Sequence, residues 1–93
     1  MSVTVRLPTI MRTQAGGQAE VSAEGTTVGE VVEDLIRQFP GTAKHLHAPD
    51  GGLHRFVNIY VDDDDIRYLQ GPETPVADGA QVSILPAVAG GSG

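Results

Sequence analysis

Residues 27–41 read TVGEVVEDLIRQFPG, and this stretch predicts the main helix of the fold. Its large apolar side chains recur in steps of three and four, which places all of them on one helical stripe. Thr27 and Glu30 have the spacing of a capping box, and Pro40-Gly41 ends the helix. We expect the stripe to pack on the core, and it consists of Val28, Val31, Val32, Leu35, Ile36 and Phe39.

Two short strands are predicted before the helix. Residues 3–7 alternate apolar and polar side chains, which is the period of a half-buried strand. A second strand is expected over about residues 18–23, and the segment from Thr9 to Gly17 is expected to be a turn with Gly16-Gly17 at its tip. Together the two strands form an N-terminal hairpin.

Three further strands are predicted after the helix. Residues 42–53 indicate a connecting loop, with a short helical turn around Ala43 to Leu46. Val82 and Ile84 are expected to face inward from the final strand, because apolar residues alternate there. The three strands are predicted over residues 55–61, 66–69 and 81–85.

Four consecutive aspartates, Asp62 to Asp65, lie between two of these strands. A calcium loop needs alternating ligand spacing, a central glycine and a distal glutamate, and this run has none of them. Aspartate side chains commonly bond their own backbone in turns. The run therefore predicts a solvated turn.

The element order predicts an α+β domain with a β-grasp, or ubiquitin-like, fold. One main helix packs on one face of a mixed sheet of four to five strands, and the first and last strands lie side by side in parallel. We expect the domain to cover residues 1–87 and a flexible C-terminal tail to cover residues 88–93.

The composition narrows the classes of partner. The chain has 93 residues, no cysteine and a formal net charge of −6, from 6 Lys and Arg against 12 Asp and Glu. That charge argues against nucleic acid and against anionic membranes, and it favours a partner with a basic docking face. Neither a membrane span nor a signal peptide is present, so we expect a cytoplasmic protein.

Three histidines raise the question of a metal site. His45, His47 and His54 lie in or beside the predicted loop, but no cysteine accompanies them and no zinc-ligand spacing is recognisable. We favour exposed loop histidines and no metal. The chain also lacks a nucleophile constellation and a phosphate-binding glycine loop, so we expect no catalytic residues and no enzyme.

The C-terminal residues predict a different kind of chemistry. Side chains shrink through Val88-Ala89-Gly90-Gly91, and glycine adopts backbone angles that other residues cannot. Such a segment can thread a narrow channel and present a main-chain carboxylate to another protein. We therefore expect the reactive group to be a glycine carboxylate.

The sequence resembles the ubiquitin-like sulfur carriers of the ThiS/MoaD type, and among them it is most similar to the branch that serves actinobacterial cysteine synthesis. The resemblance is strongest at residues 3–5 with 8–10, at residues 53–61 and at residues 84–91. The family's terminal Gly-Gly corresponds to Gly90 and Gly91, and this chain departs from the family by continuing with Ser92-Gly93.

The resemblance implies how the tail is used. An E1-like adenylyltransferase joins the carboxylate of Gly91 to AMP from ATP, and sulfur then converts it to a thiocarboxylate. Val88, Ala89 and Gly90 thread the enzyme's channel. A pyridoxal-phosphate (PLP) enzyme of the cysteine synthase kind uses the sulfur, and a JAMM-type zinc metallopeptidase releases the product. The carrier itself binds no cofactor. Ser92 and Gly93 are a segment that is trimmed, a remnant of cloning, or a sign that the Gly-Gly is coincidental.

Docking is expected on the sheet face opposite the helix, at Phe56, Tyr60 and Leu85. Two alternatives stay open. The client can differ, since thiamin thiazole, molybdopterin and thiosugar synthesis also draw on such carriers. Alternatively, the chain is a ubiquitin-like binding module with an inert tail.

Overall fold

The fold is a mixed five-stranded sheet that holds one long helix on one face. The computed structural model describes residues 2–46 and 57–86. Its strands are β1 (Ser2–Arg6), β2 (Glu20–Glu24), β3 (Val57–Val61), β4 (Asp64–Asp65) and β5 (Gln81–Pro86), and its α-helices are α1 (Thr9–Arg12), α2 (Val28–Gln38) and α3 (Ala43–Leu46). Short 3-10 turns cover Thr13–Ala15, Pro40–Thr42, Ile66–Tyr68 and Gly71–Glu73.

The strand order is β2-β1-β5-β3-β4. The first and last strands pair in parallel, with Val5 opposite Val82, while β1 with β2 and β3 with β5 are antiparallel. This arrangement confirms the predicted β-grasp fold. It also places β5, which ends just before the predicted tail, in the middle of the sheet.

The core lies between α2 and one face of the sheet. Inward positions of every long strand are buried, among them Val3, Val5, Val21, Ala23, Ile59, Val61, Val82 and Ile84. Val28, Val31, Val32 and Leu35 of α2 are buried against them, and Ile36 and Phe39 pack on the edge of this core. The helical stripe predicted from the sequence is therefore confirmed.

The start of α2 is capped almost as predicted. The Thr27 side chain accepts a hydrogen bond from the Glu30 backbone N–H at 3.3 Å. The Glu30 carboxylate, however, accepts from the backbone N–H and the hydroxyl of Thr26, both at 2.8 Å, and these bonds lie one residue earlier than in a capping box. Both carboxylate bonds stabilise the charged form of Glu30.

The predicted turn over residues 9–17 is wrong in part. The segment forms α1 and a 3-10 turn, because Met11 and Ala15 are four residues apart and both are buried in the core. Only its tip matches the prediction, since Gly16 and Gly17 both adopt positive φ there.

The predicted strand over residues 66–69 is also wrong. Ile66–Tyr68 forms a 3-10 turn, and the short strand is Asp64–Asp65, which pairs with the end of β3. The Asp65 carboxylate accepts the backbone N–H of Arg67 at 2.8 Å and so begins the turn. The turn buries Ile66 and leaves Tyr68 86% exposed.

The loop histidines are only partly covered. His45 lies in α3, as the predicted helical turn requires, but it is half-buried and not exposed. His47 and His54 lie outside the described residues. Within the described ranges, no group of three His, Cys, Asp or Glu residues could hold a metal ion, and no helix there is long and apolar enough to cross a membrane.

Candidate functional site

The end of β5 fixes the point from which residues 87–93 continue. β5 pairs with a strand on each side, and Pro86 lies opposite Val57 of β3. Val82 and Ile84 anchor the strand in the core. The residues of the predicted reactive tail, Val88, Ala89, Gly90, Gly91, Ser92 and Gly93, lie outside the described part of the chain.

The sheet face opposite α2 carries two of the three predicted docking residues. Leu85 is 48% exposed and lies opposite Asn58, while Tyr60 is half-buried and lies opposite Ser83. Because directly paired residues share a face of the sheet, Tyr60 and Leu85 lie diagonally across from each other on this outer face. Phe56 lies outside the described residues.

Asn58 lies on this same face and carries a buried acceptor. Its side-chain oxygen is buried and has no hydrogen-bond partner within residues 2–46 and 57–86. A buried acceptor without a partner costs free energy. The position lies beside Leu85, close to the end of β5.

A groove opens beside Leu85, and the sequence did not predict it. It has a volume of about 460 Å³ and lies between β5 and the segment that joins β1 to α1. We call it the arginine groove; its lining residues are Arg6, Leu7, Pro8, Thr9, Ile10, Arg12, Ser83, Ile84 and Leu85. Ile10 is 54% exposed at its edge, although it is a large apolar residue.

The electrostatics of the groove differ from those of the rest of the chain. Among residues 2–46 and 57–86, neither Asp nor Glu lines it. The Arg12 Nε–H donates to the carbonyl oxygen of Leu7 at 3.0 Å, and Arg12 has no ion pair within the described residues. Arg6 lies 3.5 Å from Glu20 of β2, and both side chains are more than half exposed.

The carboxylates with lowered pKa values lie outside the arginine groove, where they accept hydrogen bonds that stabilise the fold. The Thr26 backbone N–H lowers the pKa of Glu30, the Glu24 backbone N–H lowers that of Asp34, and the Arg67 side chain lowers that of Asp65. A carboxylate held in its charged form is poorly suited to serve as a general acid at neutral pH. None of these three groups lines the arginine groove.

A larger but open hollow lies at the N-terminal end of α2. Its walls include Glu24, Glu30, Glu33, Arg37 and Glu73. Glu30 is engaged by Thr26, and the Arg37 side chain pairs with Asp34. Its lining shares no residue with the groove beside Leu85.

Comparisons with known proteins identify similar chains of the same fold. The ThiS family model matches residues 5–91. The sulfur carrier protein CysO of Mycobacterium tuberculosis is 54% identical over 93 aligned residues, which cover 98% of this chain and 100% of that protein.

Solved structures give the same result. The crystal structure of Mycobacterium tuberculosis CysO has a TM-score of 0.86 and 52% identity, and covers 92% of this chain and 99% of the other. A chain in the crystal structure of the Amycolatopsis orientalis BexX/CysO complex has a TM-score of 0.86 and 47% identity, and covers 96% of this chain and 99% of the other. The similarity therefore extends over nearly the whole chain.

Proposed function

This chain belongs to the ThiS family, and from that premise we propose that it is a sulfur carrier whose reactive group is the carboxylate of Gly91. The observation that carries the proposal is the family match, which extends through the β-grasp domain to Gly91. The chain is a substrate of other enzymes and not an enzyme itself. The proposal includes a division into a domain at residues 1–87 and a tail at residues 88–93.

The chemistry needs an activating enzyme because a carboxylate is a poor acyl donor. A Gly91 carboxylate oxygen attacks the α-phosphorus of ATP and expels pyrophosphate, which leaves an acyl adenylate. Hydrosulfide then attacks the acyl carbon, and AMP leaves. The product is a thiocarboxylate, which stores sulfide without releasing it. We propose that this E1-like step takes place in the cytoplasm, where ATP is available.

The carrier's own residues position the tail. The end of β5 is held by its pairing with β3 up to Pro86, and from there Val88, Ala89 and Gly90 reach the activating enzyme. Small side chains suit a narrow channel. Tyr60 and Leu85 share the outer face and supply docking contacts, together with Phe56.

We propose cysteine synthesis as the destination of the sulfur. The 54% identity to the Mycobacterium tuberculosis sulfur carrier CysO supports this assignment. The client is then a PLP-dependent cysteine synthase, and a JAMM-type zinc metallopeptidase releases the product. The Amycolatopsis BexX/CysO complex supports docking of this chain to partner proteins.

Ser92 and Gly93 follow Gly91 and would block its carboxylate. We propose that they are removed before charging, by a metallopeptidase of the same type. Incubating the full-length chain with extract of its own organism tests this, since intact mass shows the loss of both residues. Thiocarboxylate formation on a chain that keeps both residues would refute the trimming step.

The charging assay tests the function as a whole. The chain ending at Gly91 is incubated with the activating enzyme of its own organism, ATP and sulfide, and intact mass is then measured. We expect the mass to rise by the difference between one sulfur and one oxygen atom. A chain shortened to Ala89, or one with Gly91→Phe, should gain no sulfur. If these variants still pass sulfur to an acceptor, the proposal is wrong. If they bind partners as well as the intact chain does and no form is charged, the chain is a binding module.

A further inference from the structure

We propose that the activating enzyme docks an acidic segment with an adjacent apolar side chain into the arginine groove. This inference rests on the proposed function and adds the chemistry of the contact. The groove is lined by Leu85, the penultimate residue of β5, so a protein that receives the tail must pass close to it. The arginine groove is therefore the surface beside the tail that the partner meets first.

Arg12 gives the first argument. Its side chain is half-buried, and its Nε–H is already used by the carbonyl oxygen of Leu7. Charged groups that leave water need a partner, and a guanidinium presents further donors in a planar fork that suits a carboxylate. The described part of the chain offers Arg12 no such carboxylate, so we assign that role to the partner.

Arg6 extends the positive potential along the groove. It has an ion partner in Glu20 at 3.5 Å, but exposed pairs of this kind contribute little and exchange readily with another carboxylate. Because no acidic side chain of the described residues lines the groove, a negative group placed there meets two cations without direct repulsion from this lining.

Two exposed apolar residues give the second argument. Ile10 is 54% exposed and Leu85 is 48% exposed, and both line the same groove. Apolar contact flanked by charged groups is the usual anatomy of a protein interface. A phosphate or another small anion would use the arginines but would leave Ile10 and Leu85 in water.

The groove also makes docking specific, because its positive charge contrasts with the negative net charge of the whole chain. The net charge of −6 favours a generally basic partner surface. An acidic segment within such a surface would fit the arginine groove and would be repelled elsewhere on the carrier. It would therefore fix the orientation of the carrier as it docks.

Charge reversal tests the electrostatic part. In the charging assay, Arg6→Glu and Arg12→Glu should each raise the KM for the carrier by about tenfold with kcat nearly unchanged, because docking is weakened before chemistry begins. The matched control is Arg37→Glu, which makes the same charge change on the exposed side of α2, outside the groove. Its KM should stay close to wild type.

Arg12 also bonds the backbone, so a folding defect must be separated from a docking defect. Arg12→Gln removes the charge and keeps a hydrogen-bond donor, and thermal unfolding of each variant shows whether it is folded. The KM of the folded wild type should rise with salt, and that of Arg12→Gln should rise less.

Matched apolar variants test the apolar contact at Ile10 and Leu85. Ile10→Ser and Leu85→Ser should each raise the KM several-fold. Leu69→Ser removes a side chain of nearly equal exposure, 47%, outside the groove and should leave the KM unchanged.

The outcomes separate the two proposals. If the wild type is never charged, the sulfur-carrier proposal fails. If the wild type is charged and the folded groove variants match it at every salt concentration, the groove proposal fails and the carrier function stands. If the groove variants are charged faster than wild type, the groove holds the chain's own C-terminal carboxylate and the partner-docking proposal is overturned.

Discussion

Ile84 and Leu85 are consecutive residues of β5 whose side chains lie on opposite faces of the sheet. Ile84 is 2% exposed and packs in the core under α2, whereas Leu85 is 48% exposed on the outer face. The strand's alternation thus places a core residue next to a residue that we propose for docking, directly before the predicted tail.

Substitution of each residue by alanine should therefore have different effects. Ile84→Ala removes a buried side chain and leaves a cavity, and we expect it to lower the free energy of unfolding by about 2–5 kcal/mol. Leu85→Ala should cost less than about 1 kcal/mol, because half of its surface is already in water. Urea unfolding measures both. Equal losses for the two variants would contradict the assignment of their faces.

Asp34 makes stability depend on pH in a defined direction. Its carboxylate accepts hydrogen bonds from the Glu24 backbone N–H at 3.0 Å and from the Gln38 side-chain amide at 2.8 Å, and it pairs with Arg37. The Glu24 bond is the largest cause of its lowered pKa. A carboxyl whose pKa is lower in the folded state than its unfolded value of 3.8 stabilises the fold at pH values above 3.8. This contribution is lost as the pH falls through the pKa of the folded state.

Asp34→Asn should therefore unfold more easily than wild type near neutral pH and approach it in acid. The measurement is urea unfolding at a series of pH values from neutral to below 3.8. Asp63→Asn, which removes the same charge at an exposed position in the β3–β4 turn, is the control. A difference between Asp34→Asn and wild type that stays constant across the series would show that the linkage is absent.

The sequence predicted those elements whose signal is local. The stripe of α2, with Leu35 at its centre, and the alternation of Val82 and Ile84 in β5 are visible in single segments, and the structure confirms both. α1 was missed because one helical turn is too short to show a period, and because it forms only where Met11 and Ala15 reach the core. The 66–69 segment was misread because the Asp65 cap outweighs the strand preference of Ile66.

The site follows the same division. Alternation in β3 and β5 predicts that Tyr60 and Leu85 share the outer face, and the pairing of the two strands confirms this placement, while their role in docking and the role of the tail stay predictions. The arginine groove could not be predicted, since Ile10 and Arg12 come to line one groove with Leu85 only through the parallel pairing of β1 with β5. The sequence did contain one signal for the groove. Ile10 is part of the family resemblance at residues 8–10, although its side chain is exposed and is not part of the core.

Thr27 should stabilise α2 through its side chain. The hydroxyl oxygen satisfies the Glu30 N–H, one of the amides that a helix start leaves unpaired. Thr27→Ala should lower the free energy of unfolding by about 1 kcal/mol. Thr27→Ser keeps the hydroxyl and should retain most of the stabilisation that the cap supplies. Thermal or urea unfolding of both variants measures this, and a fully stable alanine variant would mean that the cap is replaced by water.

The last prediction concerns the outer face, where docking and folding can be separated. Tyr60 lies opposite Ser83 and Asp65 on the face away from α2. Tyr60→Ala should therefore raise the KM in the charging assay several-fold while unfolding changes less than for a core residue, and we predict the same for Phe56→Ala. Tyr68→Ala is the aromatic control, since Tyr68 is 86% exposed in the turn after β4. If all three variants are charged at the wild-type rate, Phe56 and Tyr60 take no part in docking, and the contact must be sought at the arginine groove, which Leu85 lines.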